Sequence, residues 1–254
     1  MSTAANVGAR SDNGRKFGEG VAWPEGWDVR YVPETGSTNA DLLAGLDVGR
    51  VGHRAVLAAG HQTAGKGRLN RRWDAPADTN LLMSVAFLEV PEHPVDLIRR
   101  VGLALCAVLD ALPQDVQCGL KWPNDVLLDG RKLAGLLAAR SGASGAVVVG
   151  MGVNVGWAPD GASRVAQLDP DLSPDEVLRR VLGSYDELPA DVTGLYRQRL
   201  LTLGAHVRAD LPDGSELAGR AVDIDPSGRL AVLDECAITH HLDAADVVHL
   251  RPTS

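Results

Sequence analysis

The sequence predicts an α+β fold, a sheet covered by helices with a small β-barrel after it. Three observations carry this. Short apolar runs at residues 55–59, 81–88 and 146–149 read as buried strands. Residues 126–128, then Asp129-Gly130, then residues 133–138 read as a hairpin, because Asp-Gly supplies the left-handed turn. After Leu203 the texture changes to short alternating segments punctuated by Pro212-Asp213-Gly214 and Asp225-Pro226-Ser227-Gly228. Strands at that spacing predict a barrel of about 45 residues.

The remaining elements follow in order. Residues 27–33 alternate as a strand that ends at Pro33. Gly36-Ser37-Thr38-Asn39 reads as a turn and helix N-cap, followed by Ala40, Leu42, Leu43 and Leu46 on a short helix. Residues 62–73 show neither period and contain two glycines, hence a loop. Residues 94–112 are apolar nearly all round, with Pro94 at N1, which suits a helix in the covering layer. Two further helices are predicted at 173–184 and 189–203. The first has Ser173 as N-cap, Pro174 at N1 and Glu176 at N3.

With 254 residues, the chain suits one ordinary domain and a small appendage. The division is 1–26 as a disordered lead-in, 27–203 as the main domain and 204–254 as the barrel. A net charge of −8 argues against a general binder of nucleic acid or anionic membrane. The three cysteines, Cys106, Cys118 and Cys236, are far apart and form no CxxC pair. Neither a disulfide framework nor a zinc site is indicated, and a reducing, cytoplasmic compartment is expected. No stretch reaches the roughly 18 to 20 apolar residues that span a bilayer.

Two segments carry chemistry. Gln62-Thr63-Ala64-Gly65-Lys66-Gly67-Arg68-Leu69-Asn70-Arg71-Arg72-Trp73 concentrates cations in an otherwise acidic chain. From Gly60 it fits GxxxxGK, but Gly67 stands where a magnesium-holding hydroxyl is needed and no amphipathic helix follows, so it is no P-loop. A solvated basic turn is the bland alternative. Gly65 and Gly67 let backbone N–H groups approach an anion, and Trp73 offers a surface for stacking on a purine. The second segment is Lys121-Trp122-Pro123-Asn124-Asp125 with Lys132 in Gly130-Arg131-Lys132-Leu133-Ala134-Gly135. It could be a plain strand end and turn. On a hairpin, however, Lys121, Asp125 and Lys132 can lie together, placing a substrate oxyanion or a magnesium ion. Gly150-Met151-Gly152 lacks the third glycine of a dinucleotide fingerprint, and Pro159 blocks a following helix.

These segments, with Gly36-Ser37-Thr38-Asn39 and Gly152-Val153-Asn154, stand in the order and spacing of biotin protein ligases, which the chain resembles over residues 27–251. The resemblance implies a mixed, mostly antiparallel sheet of the class II aminoacyl-tRNA synthetase and biotin ligase kind, with an SH3-like C-terminal domain. It also implies a two-step reaction in which biotin and MgATP form biotinyl-5′-AMP, and a lysine of a biotin carboxyl carrier domain of an acyl-CoA carboxylase is then acylated. Ser37, Thr38, Asn39 and Gln62 would bond the ureido group, and Gly135 would also line the biotin site. Gly65, Lys66, Gly67 and Arg68 would wrap the carboxylate and phosphate. Lys132 would bridge the carboxyl and the α-phosphate. Arg71, Trp73, Asn124 and Asn154 would face the adenylate. Asp125 would assist magnesium or activate the acceptor lysine. An acyl-adenylate is prone to hydrolysis, so the loop would close over it, with Arg68 as a catalytic grip.

There are departures from the family pattern. Lys66 replaces a planar arginine fork. Asn70 stands where glycine is common, and it can adopt the left-handed conformation. Arg140 occupies a place where an acidic residue is expected. A lipoate ligase of the same fold is the alternative enzyme. A DNA-binding repressor role would need about 60 further N-terminal residues, so no DNA partner is expected. Retention of Arg68 and Lys132 argues against a non-catalytic module. The expected state is a monomer or weak homodimer.

Overall fold

In the computed structural model, which describes residues 16–113, 116–211, 214–243 and 246–249, seven strands form the main sheet. They are β1 (Asp28–Thr35), β2 (Ala55–Gln62), β3 (Leu81–Phe87), β4 (Cys118–Lys121), β5 (Asp125–Leu128), β6 (Arg131–Arg140) and β7 (Val147–Val153). Their spatial order is β1-β2-β3-β7-β6-β5-β4; β1 and β2 are parallel and the other pairings antiparallel. The sheet is thus mixed and mostly antiparallel. β1 runs past Pro33, where the sequence predicted its end. As an edge strand it tolerates the missing N–H, and the register steps from Val32–Ala59 to Glu34–His61 without a pair at Pro33.

Alternation along β3 and β7 sorts the two faces. Met83, Val85, Phe87, Val147, Val149, Met151 and Val153 join the larger core beneath α2 (Val95–Asp110), α3 (Pro174–Glu187) and α4 (Thr193–Arg199). Leu105 and Leu109 on α2 are fully buried there, each worth roughly 2 kcal/mol in removed apolar surface. The opposite face meets α1 (Thr38–Asp47), where Leu42, Leu46, Ala86 and Val148 form a smaller core. On this face β3 presents Leu82 and Ser84, and β7 presents Gly152 and Gly150 opposite them. The period of two therefore leaves a gap under α1 at the Ser84–Gly150 rung, where neither strand carries an apolar side chain.

Several local expectations change. Pro94 is the N-cap residue rather than N1. The second late helix contracts to Thr193–Arg199. At α3 the capping box does not form: Ser173 donates to Asp175 at 2.5 Å, and Glu176 is taken by Arg179 and Arg180. Residues 1–15 of the expected disordered lead-in lie outside the described residues, but 16–26 pack on the fold. Phe17 stacks on Tyr31 with centroids 4.4 Å apart, and Gly18 N–H donates to Asp175. The Asp129-Gly130 turn has both residues left-handed (φ 49° and 73°), as an Asp-Gly hairpin requires.

The C-terminal region forms a five-stranded antiparallel sheet of β8 (His206–Asp210), β9 (Glu216–Ile224), β10 (Leu230–Leu233), β11 (Thr239–Leu242) and β12 (Asp246–His249), in the order β11-β10-β9-β8-β12. It is tied to the main sheet beside the second motif. Trp122 Nε1 donates to the Gly228 carbonyl at 2.8 Å, Trp122 N–H to Thr202, and the buried Arg99 to the Asp225 carbonyl.

Candidate active site

One cavity of about 660 Å³ opens in the gap under α1. Its inner end is polar. Ser37 occupies the N-cap position of α1 with extended backbone but makes no capping bond, so its hydroxyl stays on the cavity wall. Thr38 N–H donates to Gln62 Oε1 at 2.8 Å, and the Thr38 and Ser84 hydroxyls lie 2.6 Å apart. Ser84 donates to Asn39 Oδ1 at 2.6 Å, while Asn39 Nδ2 donates to the Leu137 carbonyl. Gly150 makes this possible, because a Cβ there would lie 2.5 Å from Asn39 Oδ1. Thr38 and Ser84 are buried, so this network has its hydrogen-bonding geometry set before anything enters.

The other end is cationic. Residues 122–124 form the turn of the β4–β5 hairpin, which sets Lys121 opposite Asp125. In the next hairpin Asp125 pairs with Gly135, and Lys132 Nζ reaches Asp125 Oδ1 at 2.6 Å. Burial lowers the pKa of Lys121, partly offset by Asp125 and reinforced by Lys132 and Arg71. Burial likewise lowers that of Arg68, again with Asp125 opposing and Arg71 adding. Lys132 pairs directly with Asp125, Arg68 and Lys121 feel the same carboxylate, and Arg71 lines the cavity with them. The cluster holds more positive than negative charge and suits an anion.

The basic segment is a small hairpin rather than an irregular loop. Lys66 bridges Arg72, Gly67 N–H donates to the Arg71 carbonyl at 2.7 Å, and Arg68–Asn70 forms a 3-10 turn at the tip. The left-handed residue is Leu69 (φ 53°), one before the Asn70 for which the sequence suggested it. Trp73 follows, and its indole lies in a slot floored by the cross-strand pair Gly135 and Gly152. A Cβ at Gly152 would lie 2.5 Å from Trp73 Cε2. Lys132 Nζ sits 5.6 Å from the indole centroid, and Trp73 Nε1 is buried with no acceptor among the described residues. Asn154 is buried at the end of β7, donating to the Ser163 carbonyl at 3.0 Å. Asn124 donates to the Leu136 carbonyl at 2.6 Å.

Of the residues nominated from the sequence, Ser37, Thr38, Asn39, Gln62, Lys66, Gly67, Arg68, Arg71, Trp73, Asn124, Asp125, Lys132, Gly135 and Asn154 all line this cavity. Gly65 does not. It sits at the base of the hairpin, its carbonyl accepting from Trp73 N–H at 3.0 Å. Arg140 binds the Gly145 carbonyl at 3.0 Å and clasps the β6–β7 turn, away from the cavity. Sequence reasoning missed Ser84, whose signal is a lone hydroxyl in the apolar run Leu81–Phe87. It also missed Asp210, which reaches the cavity from β8.

The model of the biotin/lipoate A/B protein ligase family matches residues 32–155. A biotin–[acetyl-CoA-carboxylase] ligase of Mycobacterium tuberculosis is 39% identical over 95% of this chain and 95% of its own length. The chain belongs to the biotin/lipoate A/B protein ligase family. A second curated ligase of the same description, from Paracoccus denitrificans, is 38% identical over 56% of this chain and 60% of its own. The fold is shared with the biotin protein ligase from Aquifex aeolicus solved with biotin and ATP: TM-score 0.73, 24% identity, covering 88% of this chain and 99% of that one. In this family member every cavity residue from Ser37 to Asn154 falls within the matched interval, whereas Pro159, Ala162 and Asp210 lie beyond it. Among the described residues no helix is long and apolar enough to cross a membrane, and no cluster of His, Cys, Asp or Glu could hold a metal ion.

Proposed function

We propose that the protein is a biotin protein ligase, which activates biotin with MgATP and transfers it to a lysine of a biotin carboxyl carrier domain. The observation that carries this reading is the two-ended cavity, in which a preformed polar network and a cation cluster lie along one sheet face. The polar end, Ser37, Thr38, Asn39 and Gln62, suits a cyclic urea, whose N–H and C=O groups need partners once buried. The middle, Lys132 and Arg68, suits the carboxylate and the α-phosphate. The Gly135–Gly152 floor with Trp73 suits a planar base, with Asn154 beside it and Gly67 and Lys66 on the lid.

In the first step a biotin carboxylate oxygen attacks the α-phosphorus of ATP, and the bond to pyrophosphate breaks with its electrons. Lys132 and Arg68 stabilise charge on the oxygens that change most, in a setting where their own charges are fixed in place. Magnesium would be supplied with ATP to offset charge on its phosphates, and Asp125 would be the residue to hold it. In the second step the acceptor amine forms a C–N bond to the carbonyl carbon. AMP leaves with the electron pair of the broken C–O bond, and the amine protons pass to solvent. The closed hairpin excludes water between the steps.

The M. tuberculosis and P. denitrificans relatives are named for acetyl-CoA carboxylase, which makes a carboxylase carrier domain the proposed acceptor. We further propose residues 27–203 as the catalytic domain, 204–254 as an SH3-like domain, a monomeric or weakly dimeric state, and the cytoplasm as location. The three free cysteines support that location.

Calorimetry with biotin and with lipoate, followed by ATP-dependent labelling of a carrier domain, tests the reading. Micromolar biotin binding and labelling of one carrier lysine are expected. Binding of lipoate but not biotin would transfer the assignment to the lipoate branch.

A further inference from the structure

The turn that carries Asn124 and leads into Asp125 is held from outside by the C-terminal region. β4 is four residues long and forms one edge of the main sheet, with β5 as its strand partner. Beyond that edge the chain crosses at residues 200–202. Leu201 N–H donates to the Leu120 carbonyl at 2.8 Å, and Trp122 N–H donates to the buried Thr202 hydroxyl at 3.0 Å. The Trp122 side chain is buried and lines the cavity, while its Nε1–H donates to the Gly228 carbonyl at 2.8 Å. One indole therefore touches both the site and the C-terminal sheet.

Gly228 is itself fixed in place. It sits in the turn between β9 and β10, where its N–H donates to the Asp225 carbonyl at 3.0 Å. Its φ is 94°, and a Cβ there would lie 2.9 Å from Val95 Cγ2 on α2. The buried Arg99, also on α2, donates to the same Asp225 carbonyl at 3.2 Å. The inner side of the motif hairpin is less regular. The β5–β6 register shifts between Val126 and Leu127, and the rungs holding Asp125 and Lys132 lie on opposite sides of that shift. A regular ladder does not set their separation, yet Lys132 Nζ meets Asp125 Oδ1 at 2.6 Å.

We propose that Trp122 is a positioning residue, through which the Gly228 carbonyl fixes Asp125, and with it Lys132, for the adenylation step. This inference rests on the proposed ligase reaction and gives the C-terminal sheet a part in its first step. Trp122 supplies neither charge nor proton. Its donor is spent on Gly228, so its contribution is alignment, which a site of fixed charges requires. The biotin end is built on α1, β2 and β3 and shares none of these ties.

Trp122→Phe keeps an aromatic ring and removes the donor. At saturating biotin, kcat for biotin-dependent pyrophosphate exchange should fall about 3- to 10-fold, the scale of one hydrogen bond. Biotin affinity by calorimetry should stay within about twofold, because its partners lie elsewhere. Gly228→Ala, which presses on Val95 and shifts the carbonyl, should give the same split. The double variant should lose no more than the larger single loss, since both cut one contact. An unchanged kcat in Trp122→Phe overturns the inference, even if the urea midpoint falls, because the contact is then structural only. Biotin affinity falling in step with kcat, or fully additive losses, overturns it as well. Should one single variant fail to fold, the other carries the test. If the wild-type protein shows no biotin-dependent exchange, the ligase reading itself fails, an outcome seen before any variant is made.

Discussion

The indole of Trp73 rests directly on the α-carbon of Gly152, with no room for a methyl group between them. Gly135, its cross-strand neighbour, floors the same slot, with a Cβ there 3.1 Å from Trp73 Cζ3. Two glycines in register thus make a flat shelf for an aromatic plane. Gly152→Ala should push the indole off this shelf and weaken the adenylate end. The KM for ATP should rise about tenfold, on the order of one lost aromatic contact. Biotin affinity, set by the other end of the cavity, should change less. Pyrophosphate-exchange kinetics with each substrate varied in turn would show the split.

Ser84 connects Thr38 to Asn39 from the floor of the biotin end. Ser84→Ala removes one hydroxyl and leaves buried polar groups short of a partner, at a cost of about 1–3 kcal/mol. The expected result is roughly 10- to 100-fold weaker biotin binding by calorimetry. Lys132, at the far end, should keep its function, so kcat at saturating biotin should fall far less than affinity.

Arg68 is the proposed grip of the hairpin on the adenylate. Arg68→Ala should release biotinyl-5′-AMP before transfer, with dissociation faster by roughly 10-fold or more, as for loss of a charge-assisted hydrogen bond. Free biotinyl-5′-AMP in the filtrate and biotin on lysines of bystander proteins would report it. Labelling confined to the carrier domain would contradict this role.

Away from the site, Glu176 offers a pH test of the fold. Two hydrogen bonds from Arg179, at 2.7 Å each, hold its carboxyl at about 2; burial opposes this and Arg180 adds to it. A carboxyl with a depressed folded-state pKa stabilises above its unfolded value, near 4.5, and loses that contribution as pH falls through about 2. Solvent screening limits the contribution to about 1 kcal/mol. Glu176→Gln should therefore lower the urea midpoint at neutral pH. It should also flatten the fall in stability between about pH 5 and pH 2 relative to the unsubstituted protein.

Periodicity and punctuation in the chain were enough for β2, β3, β7, the β5–β6 hairpin with its Asp129-Gly130 turn and the covering helix α2. Each of these is decided by local properties: a run of apolar residues or turn chemistry. Local signals failed where a tertiary contact competed. Ser173 and Glu176 spell a capping box, yet Glu176 finds two arginines and Ser173 bonds Asp175. Pro33 reads as a stop but lies on an edge strand, where its missing N–H leaves no sheet bond broken.

By itself the sequence determined which residue types were available for the chemistry, and fourteen of those it nominated line one cavity. Only the tertiary structure decided what surrounds them. The phase of β3 and β7 turned Ser84, Gly150 and Gly152 to the face beneath α1. Pairing of β8 with β9 and β12 brought Asp210 to the same opening from 78 residues beyond Lys132. A strand's side-chain phase depends on which face finds a partner, and a long-range neighbour depends on how sheets pack. Neither is written in a local stretch of chain.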